Sequence, residues 1–472
     1  MSTIKNIAKN TSILILGNLS FRIISFFVTI QIARYLGSEL FGVYNFVFAY
    51  LAFFNITSDL GMQFIIVREM SQEKDMATKI IGNAYIIRLF LTVLSMIVAI
   101  SIASLTDYPF STKYYIYIAS LTVFFISFSD FYSTIFQTNL KMQYNIYSKL
   151  AYRILSAILI LFVIYLEKPL IYVIYSLVVS EIVKLSLNYT FSKKFLKPNF
   201  GFDRQLCKYM LLQSLPLALS SSIQIIHNKV DIIMLSFIKA NADIGIYSAA
   251  YRLSEPVLFI TFALTASIFP IMASSFKDST ERMIKTYYLS VKYLLIVMLP
   301  IVIVISSTSS EIIELVYGVE FIEASKPLSI LVWSLVIISF NSVMSNMLIA
   351  AGQQKIYTLS TLISAIVNIM LNMILIPIWS YNGASIATVI SNSAFFLVSF
   401  YYISRNLYLF PVSKIVNPIL CGCAMIITLN VLQFSIILSV LTALIVYILA
   451  LFATKSLDQD DINIIRKITS RQ

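Results

Sequence analysis

Residues 80–103 read IIGNAYIIRLFLTVLSMIVAISIA, a run in which Arg88 is the only charged side chain. A helix of about 20 apolar residues spans the hydrocarbon core of a bilayer. Fourteen runs of this kind follow one another along the chain, and they predict an all-α polytopic membrane protein with about 14 transmembrane helices. The predicted spans cover residues 11–33, 42–66, 80–103, 114–137, 148–166, 169–191, 210–237, 244–272, 286–306, 327–350, 356–378, 382–404, 414–433 and 435–454.

The composition excludes a soluble protein. Of 472 residues, 59% are hydrophobic and 12% are charged, whereas a soluble chain carries about 25% charged residues. The apolar runs are continuous and do not alternate, which excludes a transmembrane β-barrel. Three cysteines and one histidine give too few ligands for a disulfide framework or a histidine-based metal site. We therefore expect no metal and no cofactor.

The distribution of Lys and Arg predicts the orientation. If the loops are assigned alternately to two sides, the side of the N-terminus collects 22 basic residues and the other side collects 5. Basic residues in short loops accumulate on the cytoplasmic side, so both termini are predicted to be cytoplasmic. The net charge of +12 is then explained by a basic surface that faces anionic lipid, and we expect no nucleic-acid partner.

An internal repeat divides the chain. GSELFGVYNFVFAYLAFF, residues 37–54, matches ANADIGIYSAAYRLSEPV, residues 240–257, so that Gly42 and Gly245 are equivalent. An even number of spans separates the copies, which predicts parallel lobes related by an axis along the membrane normal. The predicted parts are a six-helix lobe over 1–197, a cytoplasmic linker over 198–208, a second six-helix lobe over 209–405, a helix pair over 406–456 and a cytoplasmic tail over 457–472.

Charged side chains inside the predicted spans are the candidate functional groups. They are Arg22, Arg88, Arg153, Lys184, Lys229, Arg252, Lys292, Asp59, Asp130, Glu181, Asp231 and Glu255, to which His227 is added. Each charge at mid-membrane costs about 2.5–3.5 kcal/mol on insertion scales, so such residues normally face a bundle interior or a water-filled cavity. Structural roles are the alternative, because Arg153 and Lys292 could extend to the membrane surface and pairs three or four residues apart, such as Glu181 with Lys184, could neutralise each other.

Two segments carry a resemblance to a known family. They are ARYLGSELFGVYNFVFAYLAFFNITSDLGMQFIIVRE, residues 33–69, and SLPLALSSSIQIIHNKVDIIMLSFIKANADIGIYSAAYRLSEPVLFITFALTASIFPIMASSF, residues 214–276. With its fourteen-span plan, the chain resembles the polysaccharide-biosynthesis flippases of the O-antigen and capsule repeat-unit type. Their superfamily also holds multidrug and toxin extruders and murein-precursor flippases.

The resemblance implies a function and partners. A flippase of this type moves a polyprenyl-diphosphate-linked oligosaccharide from the inner to the outer leaflet of the cell membrane, by alternating access around a cationic cavity, for cell-surface polysaccharide assembly. The implied partners are this lipid-linked oligosaccharide and membrane lipids, and other membrane proteins of polysaccharide assembly are further candidates. The protein is then a transporter and not an enzyme.

This cargo suggests roles for the charged residues. Arg presents a planar set of donors that matches phosphate oxygens, and Arg22 and Arg88 lie deepest without an acid three or four residues away. The candidates for substrate binding are Arg22, Arg88, Lys229, Arg252, Arg153 and Lys292. The candidates for ion coupling are Glu181, Asp59, Asp130, Glu255, Asp231, His227 and Lys184. Because the sequence has no nucleotide-binding motif of the Walker A type, we expect a cation that moves inward, most simply a proton, to drive export, with Glu181 as its first carrier.

Two other functions are open at this point. A multidrug extruder would carry amphipathic cations and should favour acids in its cavity, while the spans hold seven basic and five acidic residues. A membrane-embedded glycan polymerase would need catalytic groups in a sizeable loop, and the predicted outer loops are short.

Overall fold

The computed structural model describes residues 2–196, 201–407, 412–431, 435–454 and 456. Over these ranges the chain is helical and has no β-strand, which confirms the all-α class. The helices are α1 Ser2–Asp59, α2 Met62–Gln72, α3 Ala77–Leu105, α4 Phe110–Thr138, α5 Gln143–Tyr165, α6 Leu170–Ser192, α7 Arg204–Ile238, α8 Asn241–Ser254, α9 Leu258–Asp278, α10 Thr280–Ser307, α11 Ser309–Tyr317, α12 Ser325–Ala350, α13 Gln354–Asn406, α14 Val412–Val431 and α15 Ile436–Ala453.

Within the described ranges, eleven helical segments are long and apolar enough to cross a membrane, as expected of a multi-pass membrane protein. Two of them, Leu19–Gln72 and Gln354–Asn406, have 54 and 53 residues, about twice what a bilayer requires. Each contains a break where the backbone leaves the helical region, at Gly37 (φ 69°, ψ 176°) and at Ser380 (φ 48°, ψ −130°). Each therefore supplies two of the predicted spans. With the shorter apolar helix Ile415–Val431, this gives the predicted number of about 14.

Two predicted spans are interrupted rather than continuous. The span at 42–66 breaks at Leu60 and Gly61, which have φ of 46° and 72°. A Cβ on Gly61 would lie 2.9 Å from the Cβ of Leu217, so the missing side chain lets α7 approach closely. The span at 244–272 is divided by the 3-10 turn Glu255–Val257. Pro256 has no N–H to donate, which explains the interruption.

The chain forms two compact units, one ending at Ser248 and the next beginning at Ala249. Helix α7 belongs to the first unit and packs against α1, α2 and α3. The predicted division into lobes at 198–208 concerns the sequence repeat and stays a prediction. Within that linker, residues 198–200 lie outside the described residues, as does the predicted tail at 457–472.

Asp203 attaches the beginning of α7 to the first unit. Its carboxylate accepts hydrogen bonds from the N–H groups of Gln205 (3.0 Å) and Leu206 (3.1 Å), and it lies 2.7 Å from Lys79 Nζ. Its own N–H donates to Asn83 Oδ1 at 2.6 Å. The hydrogen bond with Lys79 lowers the pKa of the Asp203 carboxyl, and the backbone hydrogen bonds act in the same direction. The helix start is therefore both capped and bound to α3.

The two repeat glycines meet within the first unit. A Cβ on Gly42 would lie 1.8 Å from the backbone oxygen of Asn241, and one on Gly245 would lie 1.9 Å from the backbone oxygen of Ser38. The second half of α1 and the beginning of α8 therefore approach each other through reciprocal glycine contacts. The repeat predicts that these glycines are equivalent, but it does not predict that they touch.

Hydrogen bonds between small polar groups join the helices of the second unit. The hydroxyl oxygens of Thr261 and Ser339 are 2.6 Å apart, and Asn341 Nδ2 donates to the Asn392 carbonyl oxygen at 3.0 Å. The predicted C-terminal helix pair, α14 and α15, packs in this unit, where the Tyr447 hydroxyl donates to the Ile296 carbonyl oxygen at 3.0 Å. Interhelical hydrogen bonds of this type are common in membrane bundles.

Candidate functional site

A buried ion pair lies on α6 in the first unit. Lys184 Nζ is 3.0 Å from Glu181 Oε2, and the two side chains are 9% and 6% exposed. The pairing predicted from their spacing is confirmed. Burial removes both charges from water, so the other charged and polar side chains around the pair determine how well each charge is stabilised.

Helices α4 and α5 bring three more charged side chains to this pair. Glu181 interacts electrostatically with Asp130 of α4 and Arg153 of α5. Lys149 of α5 interacts with Asp130 and with Lys184. We call Asp130, Lys149, Arg153, Glu181 and Lys184 the charge cluster. It holds three cationic and two anionic side chains, so it carries a positive excess inside a membrane-embedded unit.

Arg153 extends to α1 rather than remaining on its own helix. Its Nη2 donates to Ser25 Oγ at 2.6 Å, and its guanidinium carbon lies 4.6 Å from the ring centroid of Phe21. Its Nε is buried and has no acceptor among the described residues. Arg153 can therefore bind a further acceptor, in the planar geometry that suits phosphate.

Sequence reasoning missed Lys149, because it was counted with the basic loop residues. The ammonium group has no hydrogen bond or ion pair within the part of the chain that the structure describes, although it lies half-buried beside the cluster. One signal could have found it. Lys149 and Arg153 are four residues apart and share one face of α5.

Arg88 occupies a separate polar group between α1, α3 and α4. Its side chain is 2% exposed. One guanidinium nitrogen pairs with Asp59, Nε donates to Ser127 Oγ at 2.8 Å, and Nη2 donates to the Ser127 carbonyl oxygen at 2.9 Å. No acid lies three or four residues from Arg88 on its own helix, as the sequence shows, and the acidic partner comes instead from the end of α1. Its role in substrate binding stays a prediction.

Arg22 differs from Arg88 in its surroundings. Its side chain is exposed, and it has no hydrogen bond or ion pair to the described residues. The structure thus separates the two arginines that the sequence treats alike: Arg22 retains its donors, whereas the donors of Arg88 are largely occupied.

The remaining candidates lie on α7 and in the second unit. On α7, His227 and Lys229 are half-buried, and Asp231 is buried and accepts a hydrogen bond from the Tyr247 hydroxyl at 2.7 Å. In the second unit, Arg252 and Glu255 form the pair expected from their spacing at 3.5 Å, with side chains 34% and 41% exposed. Lys292 is buried, with its Nζ 6.0 Å from the Tyr293 ring centroid. Across the described ranges, no three His, Cys, Asp or Glu side chains are grouped as metal ligands.

Comparison with known families identifies two matches. The family model described as polysaccharide biosynthesis protein matches residues 7–276, and the model described as MatE matches residues 216–374. The chain is also 26% identical over 233 residues to a probable low-salt glycan biosynthesis flippase of Haloferax volcanii. This alignment covers 49% of the chain and spans about half the length, 48%, of that relative.

Solved structures share the fold. The lipid II flippase MurJ in an inward closed conformation superimposes with a TM-score of 0.77 and 17% sequence identity, covering 92% of this chain and 97% of that one. A multidrug resistance MATE family transporter of the MOP superfamily, in an inward-facing conformation, gives a TM-score of 0.69 and 16% identity, with 83% and 97% coverage.

Proposed function

Because the chain belongs to the polysaccharide biosynthesis protein family, we propose that it is a flippase that moves a polyprenyl-diphosphate-linked oligosaccharide from the inner to the outer leaflet. The observation that carries the proposal is the positive excess of the charge cluster, together with the unused donors of Arg153. A diphosphate linkage carries about two negative charges, and hydrocarbon does not solvate them. Buried cations with free donors offer such an anion a route across the bilayer.

The proposal includes an orientation and a mode of action. Both termini lie in the cytoplasm, the membrane is the cell membrane, and alternating access exposes a cationic cavity to one leaflet and then to the other. Arg22 is assigned to this cavity, because its side chain is exposed and its donors have no partner among the described residues. The polyprenyl chain can remain in lipid while the diphosphate and sugars cross.

Reconstituted vesicles test the function. Purified protein is placed in vesicles that contain a labelled lipid-linked oligosaccharide, and a membrane-impermeant oxidant measures how much sugar faces outward. With the protein, nearly all the label should become accessible, whereas in protein-free vesicles only the fraction in the outer leaflet should react. Equal accessibility with and without the protein would contradict the proposed function.

Variants of Arg22 test the cationic cavity in the same vesicles. Arg22→Ala should slow flipping by roughly tenfold to a hundredfold, because a hydrogen bond to a charged group contributes about 1.5–3 kcal/mol. Arg22→Lys should retain part of the rate, since the charge remains but the planar set of donors is lost. Arg405→Ala is the matched control, because among the described residues that exposed arginine forms its hydrogen bond and ring contact with Tyr401 of its own helix. An unchanged rate for Arg22→Ala would remove Arg22 from the proposal.

A multidrug extruder is the second candidate, favoured by the MatE match over residues 216–374. Such a protein should bind amphipathic cations, which the positive excess of the charge cluster disfavours. Efflux of a fluorescent cationic dye from the same vesicles, without glycan flipping, would favour this candidate.

A further inference from the structure

We propose that Lys149 and Arg153 bind the diphosphate of the substrate, and that this binding takes up a proton on the neighbouring acids Asp130 and Glu181. The inference rests on the proposed function and adds to it a binding pair and a link between the anion and a proton.

The binding pair follows from the placement of donors. Lys149 and Arg153 lie one turn apart on the same face of α5, so both can reach one anion. The buried Nε of Arg153 has no acceptor among the described residues. The ammonium of Lys149 has no hydrogen bond within them either. Lys184 differs from these two cations, because its ammonium is ion-paired with Glu181 at 3.0 Å and its charge is already offset by that carboxylate.

The link to a proton follows from the acids around the pair. Glu181 interacts with Arg153 and Asp130 interacts with Lys149, so each acid attracts one of the two binding cations. An arriving diphosphate would raise the count of negative charges to about four against three cations, in a region with little water to screen them. A proton on either acid removes one of these negative charges and frees the adjacent cation for the phosphate.

The acids are the groups that can accept this proton. Glu181 faces Asp130 from α4, Tyr152 and Arg153 from α5, and Lys184 from its own helix. Tyr152 in turn interacts with Tyr44 of α1. Lysine, arginine and tyrosine side chains ordinarily carry their protons near neutral pH, whereas carboxylates do not, so a carboxylate is the type of group that can gain one. Asp130 and Glu181 are therefore assigned as the shared proton acceptor.

Reciprocity makes this link measurable. If anion binding raises the affinity of the acids for a proton, protonation of the acids raises the affinity for the anion by the same factor. A lower pH must therefore strengthen anion binding. A full proton taken up corresponds to about a tenfold change in Kd for each pH unit, and partial uptake to less.

The test uses farnesyl diphosphate esterified with a single N-acetylglucosamine as the probe, with the full chain in detergent. Each phosphorus of this probe carries one ester bond and the anhydride bridge, so the probe lacks the second ionisation of a phosphate monoester, near pH 6. Calorimetry in two buffers of different protonation enthalpy, at pH 6 to 8, then counts the protons taken up by the protein. We expect uptake approaching one proton and a Kd that falls as the pH is lowered.

Variants separate the parts of the proposal. Lys149→Ala and Arg153→Ala should each weaken probe binding about tenfold or more. Glu181→Gln should strengthen binding at pH 8 and reduce the proton uptake. Glu69→Gln is the matched control, because it removes the acid of an Arg–Glu pair outside the cluster (2.7 Å to Arg68), and it should leave the proton count unchanged.

Each outcome has a distinct meaning. A wild-type protein that binds no probe at any pH contradicts the proposed function itself. Binding that Lys149→Ala and Arg153→Ala leave unchanged overturns the binding pair. Binding without proton uptake by the wild-type protein overturns the link, and this measurement stands even where a variant does not fold.

Discussion

At the scale of single residues, Arg88 and Arg22 show what the sequence can and cannot predict. Pairs within one helix, such as Glu181 with Lys184, are predicted from a spacing of three residues because that spacing fixes the distance. The Asp59–Arg88 pair joins residues 29 positions apart, and only the packing of α1 against α3 brings them together. Lys149 was missed for a related reason, since its position near a predicted helix end concealed its neighbours on α4 and α6.

We predict that substitution of the two arginines affects stability differently. Arg88→Ala leaves the Asp59 carboxylate without its cationic partner, so the free energy of unfolding should fall by about 3 kcal/mol. This is the lower end of the range for breaking a buried pair, because Asp59 is 24% exposed. Arg22→Ala removes an exposed side chain without a partner among the described residues and should leave stability unchanged. Thermal unfolding in detergent measures both. An unchanged melting temperature for Arg88→Ala would favour the substrate-binding role over the structural one.

The Asp203 carboxyl predicts that the stability of the folded protein depends on pH. Its pKa is lowered by the hydrogen bond with Lys79, so the folded protein holds the charged form more strongly than the unfolded chain does. The stabilisation is therefore present above the unfolded pKa of about 3.9 and is lost as the pH falls through the lower folded value. Asp203→Asn should melt below the wild type at pH 7, and the difference should narrow as the pH approaches 3. A difference that stays constant with pH would exclude the ion pair as its cause.

At the scale of helices, the internal repeat predicts which positions of its two copies are equivalent, but it does not predict which residues are in contact. The fourteen spans follow from apolar length alone, because a bilayer requires each crossing to satisfy its own backbone hydrogen bonds. The apolar runs continue on both sides of Gly61 and of Glu255–Val257, so apolar length alone does not reveal these interruptions. The contact between Gly42 and Gly245 depends on tertiary packing, which no local pattern encodes.

The reciprocal glycine contact predicts a pair of coupled substitutions. Gly42→Ala and Gly245→Ala each place a Cβ less than 2 Å from a backbone oxygen, so α1 and α8 must separate. Overpacking of this kind costs about 1–3 kcal/mol. The double variant should lose less than the sum of the single losses, because one separation accommodates both methyl groups. Gly201→Ala is the control, since no atom lies within 4 Å of its added Cβ. Additive losses would mean that the two glycines act at independent contacts.

At the scale of the whole molecule, the distribution of basic residues predicts the orientation in the membrane. Reporter fusions after Lys194 and Lys455 should report the cytoplasm, and fusions within residues 311–323 should report the outside, because basic loops are retained on the inner side. An outside signal at Lys194 would reverse the orientation and the direction of transport derived from it.

The energetics of export depend on the charge that the whole cargo carries. From the sequence we expect a proton moving inward to drive export, with Glu181 as its first carrier. The charge cluster surrounds Glu181 with cations that also attract the substrate anion, so the proposed proton travels outward with the diphosphate. About two negative charges and one proton then leave together, and roughly one net negative charge moves out of a cell whose interior is negative.

Export driven by an inward proton and export in which the proton leaves with the diphosphate are two schemes, and a pH gradient affects them with opposite sign. Moving one charge through 100 mV is worth about 2.3 kcal/mol, or about fiftyfold in the distribution of cargo. In vesicles with an imposed potassium diffusion potential, a negative interior should drive labelled glycan outward in both schemes. An acidic exterior at zero potential should oppose export if the proton accompanies the anion, and should drive it if the proton moves inward. The wild-type protein alone decides between them. Outward flipping that becomes faster when the exterior is acidic, with no potential imposed, would overturn joint movement of the proton and the diphosphate. Flipping that responds to neither the pH gradient nor the potential would leave consumption of the product outside as the driving force.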